Sequence, residues 1–175
     1  MKTLVAYYSR KGSNSFLAEK IADRLECDIE SIKPRINLFL FFLMGINWGI
    51  RRMKSPVKEY DRVIMVGPVF IGRFIPPLEA FVKRYDTVIN KLIFATCCGS
   101  TYKSKDEKFG HGLVFKKVED IMGDKLVGCQ AFPIELLLPE SQKGDSDAYM
   151  KTHLNADNFK GEILQIFNEF IKKLT

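Results

Sequence analysis

The stretch Met1-Lys2-Thr3-Leu4-Val5-Ala6-Tyr7-Tyr8-Ser9-Arg10-Lys11-Gly12-Ser13-Asn14-Ser15 decides the fold. Leu4 to Tyr8 is apolar except for its tyrosine hydroxyls, too short for a helix and long enough for a strand. It stops at small polar residues around Gly12, and an amphipathic pattern then runs through Phe16, Leu17, Ile21 and Leu25. A strand, a polar turn holding one glycine and a helix place the helix's unpaired N-terminal amides at the end of a strand. Those amides and the helix dipole suit an anion.

Outward from there, strands and helices alternate. Asp28–Ile32 reads as a second strand, closed by Lys33 and Pro34. Asp61–Gly67 is a third strand, apolar throughout from Val63, as a parallel strand covered on both faces should be. A loop from Pro68 follows, in which Pro76 or Pro77 opens a helix carrying Leu78, Phe81 and Val82. Lys91–Cys98 is a fourth strand, Thr101–Gly110 a polar loop, about Gly112–Met122 a helix and Leu126–Phe132 a fifth strand, with Ile134–Leu138 as a candidate extension after Pro133. Glu140–Asp147 reads as loop, and Phe159–Leu174 as a closing amphipathic helix. This alternation implies an α/β fold: a five-stranded parallel sheet with right-handed crossovers and helices on both faces. In the order 2-1-3-4-5 the loops Ser9–Ser15, Pro68–Ile75 and Gly99–Gly110 meet at the carboxyl ends of the strands, where one ligand can touch all three.

The 175 residues suit a single domain spanning 1–175. Its net charge of +6 favours acidic partners or an anionic surface, yet no basic run with interleaved aromatics suggests nucleic acid. Cys27, Cys97, Cys98 and Cys129 lack metal-ligand spacing, and His111 and His153 are the only histidines, so no metal site is expected. Met1 and Lys2 lead straight into a strand rather than a signal sequence, which gives a cytoplasmic address. One segment fits poorly. Ile36–Ile50 is apolar almost all round a helix, within an expected helical stretch at about 36–53, and has Lys33, Arg35, Arg51, Arg52 and Lys54 on its flanks. It is shorter than a membrane span and interrupted by Asn37 and Asn47. A buried helix, a homodimer face and a peripheral contact with anionic lipid are the alternatives.

The first loop lacks both the Gly-x-Gly-x-x-Gly dinucleotide fingerprint and the Gly-x-x-x-x-Gly-Lys-Ser/Thr nucleotide loop. A phosphate monoester fits better. Gly12 supplies the turn, Ser9, Ser13 and Ser15 supply hydroxyls, Arg10 and Lys11 supply charge, and Ser13 or Asn14 suits the helix cap.

Tyr8-Ser9-Arg10-Lys11-Gly12-Ser13-Asn14 resembles the phosphate loop of the flavodoxin family. Val66-Gly67-Pro68-Val69-Phe70-Ile71-Gly72 is similar to that family's second loop, and Phe94-Ala95-Thr96-Cys97-Cys98-Gly99 to its third. The resemblance covers Met1 to about Met122. It implies a flavodoxin-like three-layer sandwich, FMN as cofactor, and cofactor contacts from Ser9–Ser15, Pro68–Gly72, Thr96–Gly99 and Tyr102. Lys11 and Asn14 depart from the usual threonines. Phe70 and Ile71 stand where aromatic residues usually cover the flavin ring, so Ile71 offers only dispersion. Cys97 and Cys98 read as packing residues, because adjacent cysteines form only a strained disulfide. No dedicated catalytic residue stands out, and His111 reads as a surface histidine near the third loop.

The functions that follow are electron transfer with a redox partner protein or NAD(P)H-dependent reduction. The alternatives are a binding or scaffold protein on the same fold without cofactor, and a membrane-associated flavoprotein resembling the flavodoxin-like protoporphyrinogen oxidase. A response-regulator-like domain is disfavoured, because neither Tyr7-Tyr8-Ser9 nor Val66-Gly67-Pro68 supplies the acidic cluster it needs.

Overall fold

A computed structural model describes residues 1–35, 49–143 and 145–175. Five strands form one parallel sheet: β1 (Thr3–Tyr7), β2 (Asp28–Ser31), β3 (Arg62–Val66), β6 (Leu92–Cys98) and β7 (Leu126–Pro133), in the order β2-β1-β3-β6-β7. This is the expected 2-1-3-4-5 arrangement. The numbering changes because a small antiparallel hairpin, β4 (Val69–Phe70) with β5 (Arg73–Phe74), lies inside the second loop. The helices are α1 (Ser13–Leu25), α2 (Pro76–Tyr85), α3 (Gly112–Met122), α4 (Ser146–Lys151) and α5 (Glu162–Leu174).

Alternating side chains along each strand feed two cores. Leu4, Ala6, Val63, Met65, Leu92 and Phe94 pack with Leu78 and Phe81 of α2 and with Val114 and Val118 of α3. Val5, Ile64, Val66, Ile93 and Ala95 pack with Leu17 and Ile21 of α1 and with Ile163, Phe167 and Ile171 of α5. The central strands bury both faces, which is why they read as unbroken apolar runs rather than alternating ones.

Ile134–Leu137 is a 3₁₀ turn rather than an extension of the fifth strand, which ends at Pro133. Three further local expectations change. Within the stretch expected as loop, Glu140–Gln142 is a 3₁₀ turn and α4 opens at Ser146, where Asp145 caps it, accepting from the backbone N–H of Asp147 at 2.8 Å. The closing helix begins at Glu162 rather than Phe159, after Gly161 at φ 63°. The third concerns the apolar segment, of which 36–48 lies outside the described residues. Its described end, 49–53, is not helical. Ile50 pairs with Pro34 in an isolated antiparallel bridge, Arg35 N–H donates to Gly49 C=O at 3.1 Å, and Arg51 N–H donates to Lys33 C=O at 2.7 Å. The two limbs form a short stem beyond β2, fastened to the core by buried Ile50 and Met53. Among the described residues no helix is long and apolar enough to cross a membrane.

Candidate functional site

β1 ends at Tyr7, and the chain turns into α1 at Gly12, whose φ of 98° is a conformation that L side chains rarely adopt. The turn is tied internally. Gly12 N–H donates to Ser9 Oγ at 3.2 Å, and Ser15 Oγ donates to Gly12 C=O at 2.7 Å. No side chain caps α1, and its first internal bond runs from Phe16 N–H to Gly12 C=O. The amides of Ser13, Asn14 and Ser15 precede that bond and are left for a ligand or water.

Neither Ser13 nor Asn14 acts as the expected helix cap. Asn14 is buried and clamps β6: its Nδ2 donates to Cys97 C=O at 3.2 Å, and Cys97 N–H donates to its Oδ1 at 2.9 Å. Ser13 Oγ accepts from Leu154 N–H at 3.1 Å. Both side chains instead satisfy backbone groups that are buried at the end of β6 and in the chain beyond α4. Lys11 Nζ donates to Met150 C=O at 3.3 Å and ties the same late segment to the turn.

The second loop owes its shape to the hairpin. Ile71 and Gly72 form its two-residue tip at φ 51° and 64°, the pattern of a type I′ turn. Gly72 is required by contact as well as by φ, since a Cβ there would lie 2.6 Å from Lys108 C=O. The tip is therefore seated on the Gly99–Gly110 loop. Phe74 and Ile75 anchor its base, with Phe74 edge-on to Phe94 at 6.0 Å between centroids.

In the third loop His111 is a buried residue, not a surface one. Its Nδ1 lies 2.8 Å from Ser100 Oγ and 3.7 Å from Cys98 Sγ, and its ring is flanked by Tyr102 and Phe115. The aromatic neighbours and the strand end cover it, which loop polarity alone did not suggest. Burial holds its pKa below the ordinary 6.5. Cys97 and Cys98 are free and buried; burial pushes the Cys97 thiol up strongly and that of Cys98 to about 12. Neither thiol is activated. Thr96 is fully buried on β6, and its hydroxyl has no hydrogen-bond partner.

These loops surround a cavity of about 270 Å³ at the carboxyl ends of β1, β3 and β6. Of the residues singled out in the sequence, Ser9, Arg10, Lys11, Ser13, Asn14, Pro68, Val69, Phe70, Cys97, Cys98 and Gly99 line it. An adjoining cavity of about 460 Å³ shares Val69, Cys98 and Gly99 with the first, and is completed by Ile71, Ser100, Ser104, Glu107, Phe109 and Gly110. Gly12, Ser15, Gly72 and Thr96 shape the backbone and packing without lining either space. Tyr102 stands apart from both, its hydroxyl donating to Ala131 C=O at 2.8 Å. The fourth wall was missed: Ile134, Tyr149, Met150, Thr152 and His153. They lie more than a hundred residues from the turn they face, and no local motif marks them.

No aspartate or glutamate lines the first cavity, whereas Arg10, Lys11 and the first helical residues, Ser13 and Asn14, do. Pro68, Val69, Phe70, Ile75 and Ile134 make other walls apolar. The pair of cavities suits a molecule with an anionic end and a flat apolar end.

Neither the protein-family models nor the curated proteins give a match to the sequence. Solved structures do. The chain is similar to a flavoprotein in complex with FMN from Lactobacillus acidophilus NCFM, at 16% identity and TM-score 0.58, over 74% of this chain and 92% of that one. It is also similar to a flavodoxin from Streptococcus pneumonia TIGR4, at 13% identity and TM-score 0.54, over 99% and 97%. A flavodoxin, WrbA-like protein from Agrobacterium tumefaciens aligns at 15% identity and TM-score 0.53, over 98% and 93%. Likeness at such identity establishes architecture: the chain has the flavodoxin-like α/β fold.

Proposed function

We propose that this flavodoxin-like chain binds FMN and passes electrons between redox partners. One observation carries the reading: the uncapped start of α1, with Arg10 and Lys11 beside it, opens into a cavity free of carboxylates that shares Val69, Cys98 and Gly99 with a second space beside the hairpin. The residues fit the group. The amides of Ser13 and Asn14 would hold its phosphate through the helix N-terminus, with Lys11 and Arg10 adding charge. Val69 and Phe70 on one side and Cys98 and Gly99 on the other would hold the ring system, with Ile71 at its outer part. That a protein of this fold is described in complex with FMN supports the choice of ligand.

When bound, FMN supplies reversible one- and two-electron chemistry. The protein supplies binding, orientation and exclusion of water. Asn14 fixes the first loop to the end of β6, so the phosphate and ring ends are held at one spacing. The high thiol pKa values keep Cys97 and Cys98 neutral beside the cavity, so neither adds negative charge near a reduced ring.

Titration of the purified chain with FMN, read by quenching of flavin fluorescence, tests the binding. A dissociation constant in or below the micromolar range is expected, and one weaker than about 100 μM overturns the reading. Anaerobic NADPH then separates carrier from reductase. A carrier keeps its oxidised spectrum with NADPH alone, whereas rapid bleaching would assign NAD(P)H-dependent reduction.

A further inference from the structure

The hairpin tip presents a conflict that folding does not explain. Ile71 is β-branched, holds φ 51° and leaves 54% of its surface exposed. Type I′ tips favour Asn-Gly, and a β-branched residue at positive φ is strained. An exposed apolar side chain there gains little from burial, so Ile71 is disfavoured on both counts. Strain kept at a tip beside a ligand cavity points to use in recognition. Phe109 stands next to it: it is 56% exposed, shares the second cavity with Ile71, and its Cα lies close under Gly72. The seating of Gly72 on Lys108 makes Ile71 and Phe109 one preformed apolar knob at the cavity mouth.

Cations surround the knob. Arg73 pairs directly across the hairpin from Phe70, and Lys108 Nζ lies 5.5 Å from the Phe109 ring centroid. The three strand-end loops carry Arg10, Lys11, Arg73, Lys103, Lys105 and Lys108, all exposed, against two acidic residues, Asp106, which lies 3.8 Å from Lys105 Nζ, and Glu107. An apolar centre with a charged rim is the anatomy of a transient protein interface, in which the rim selects the partner's sign.

We infer that the mouth formed by the hairpin tip and the Gly99–Gly110 loop docks an acidic redox protein, Ile71 and Phe109 at the centre and Arg73, Lys105 and Lys108 at the rim. This rests on the flavin reading, since such docking matters only if the cavity behind it holds a redox group. The carboxylates Asp106 and Glu107 within the rim favour a protein over an anionic bilayer, because they oppose a uniformly negative plane but can pair with isolated lysines or arginines on a protein.

The test uses FMN-loaded protein, with an acidic [2Fe–2S] ferredoxin as probe and a basic cytochrome c as control, and association is followed by calorimetry and NMR shift mapping. Ferredoxin binding is expected at about 20 mM salt, weakening about tenfold or more by about 200 mM, with shifts centred on Ile71 and Phe109. The triple variant Arg73→Glu, Lys105→Glu, Lys108→Glu should weaken association at least about tenfold while leaving FMN affinity unchanged, because none of the three lines either cavity. Ile71→Asn gives a second readout. Relief of the turn strain should raise the melting temperature by a few degrees while ferredoxin binding weakens. The proposal is overturned if the ferredoxin fails to bind at low salt, if cytochrome c binds equally well, or if only phosphatidylglycerol vesicles bind. Loss of FMN binding in the parent protein would instead sink the flavin reading.

Discussion

Asn14 shows how one side chain can set a site without touching the ligand through its polar atoms. It satisfies both the N–H and the C=O of Cys97, so Asn14→Ala would leave a buried donor and a buried acceptor unpaired. A stability loss of about 2–3 kcal/mol is expected, measured by urea unfolding, with weaker FMN binding as the first and third loops lose their fixed spacing. His111 gives a pH signature. Burial is the main cause of its lowered pKa; Asp106 opposes the shift, Lys105 reinforces it, and Cys98, Ser100, Tyr102 and Phe115 are its other neighbours. The unfolded chain takes up this proton near 6.5, while the folded chain resists it to lower pH. Its contribution is therefore complete above about pH 6.5 and is lost as pH falls from there through the depressed folded value. Denaturant midpoints across that range should fall in the parent and flatten in His111→Phe. An unaltered slope in the variant would remove His111 as the cause.

At the scale of elements, the turn into α1 carries the anion end of the site. Gly12→Ala places a Cβ in open space but at φ 98°, so its cost is conformational rather than steric. A loss of about 1–2 kcal/mol in stability is expected, together with weaker FMN binding as the turn relaxes. Equal affinities for variant and parent would separate the turn from the anion site. Strands and this turn were legible because their signals are local: unbroken apolar runs for β3 and β6, and Gly12 between a strand and an amphipathic pattern. The helix expected at about Gly112–Met122 is α3. The hairpin was less legible, since β4 and β5 are two residues each and Ile71 is a poor type I′ residue. The destinations of the Ser13 and Asn14 side chains depend on Leu154 and Cys97, which are distant in sequence. The fourth cavity wall depends on the same long-range fold-back, and the burial of His111 on aromatic packing, so neither left a periodic or motif signal.

For the whole molecule, cofactor binding and folding should be linked. FMN at about a hundred times its dissociation constant would stabilise the native state by about 2.7 kcal/mol, raising the melting temperature by roughly 5–10 °C for a chain of this size. A calorimetric scan with and without FMN reads this directly, and riboflavin, which lacks the phosphate, should give a smaller shift. The charge of +6 spreads well beyond the site, and Lys33, Arg35, Arg51 and Arg52 crowd the Pro34–Ile50 stem. That stem also has a topological meaning. Because Lys33, Arg35, Gly49 and Arg51 hydrogen-bond across it, its two limbs are held side by side independently of the chain that joins them. Arg35 and Gly49 have the cross-strand pairing that a two-residue Asn-Gly turn can join, so the order of the strands depends on the stem and not on the length of chain between its limbs.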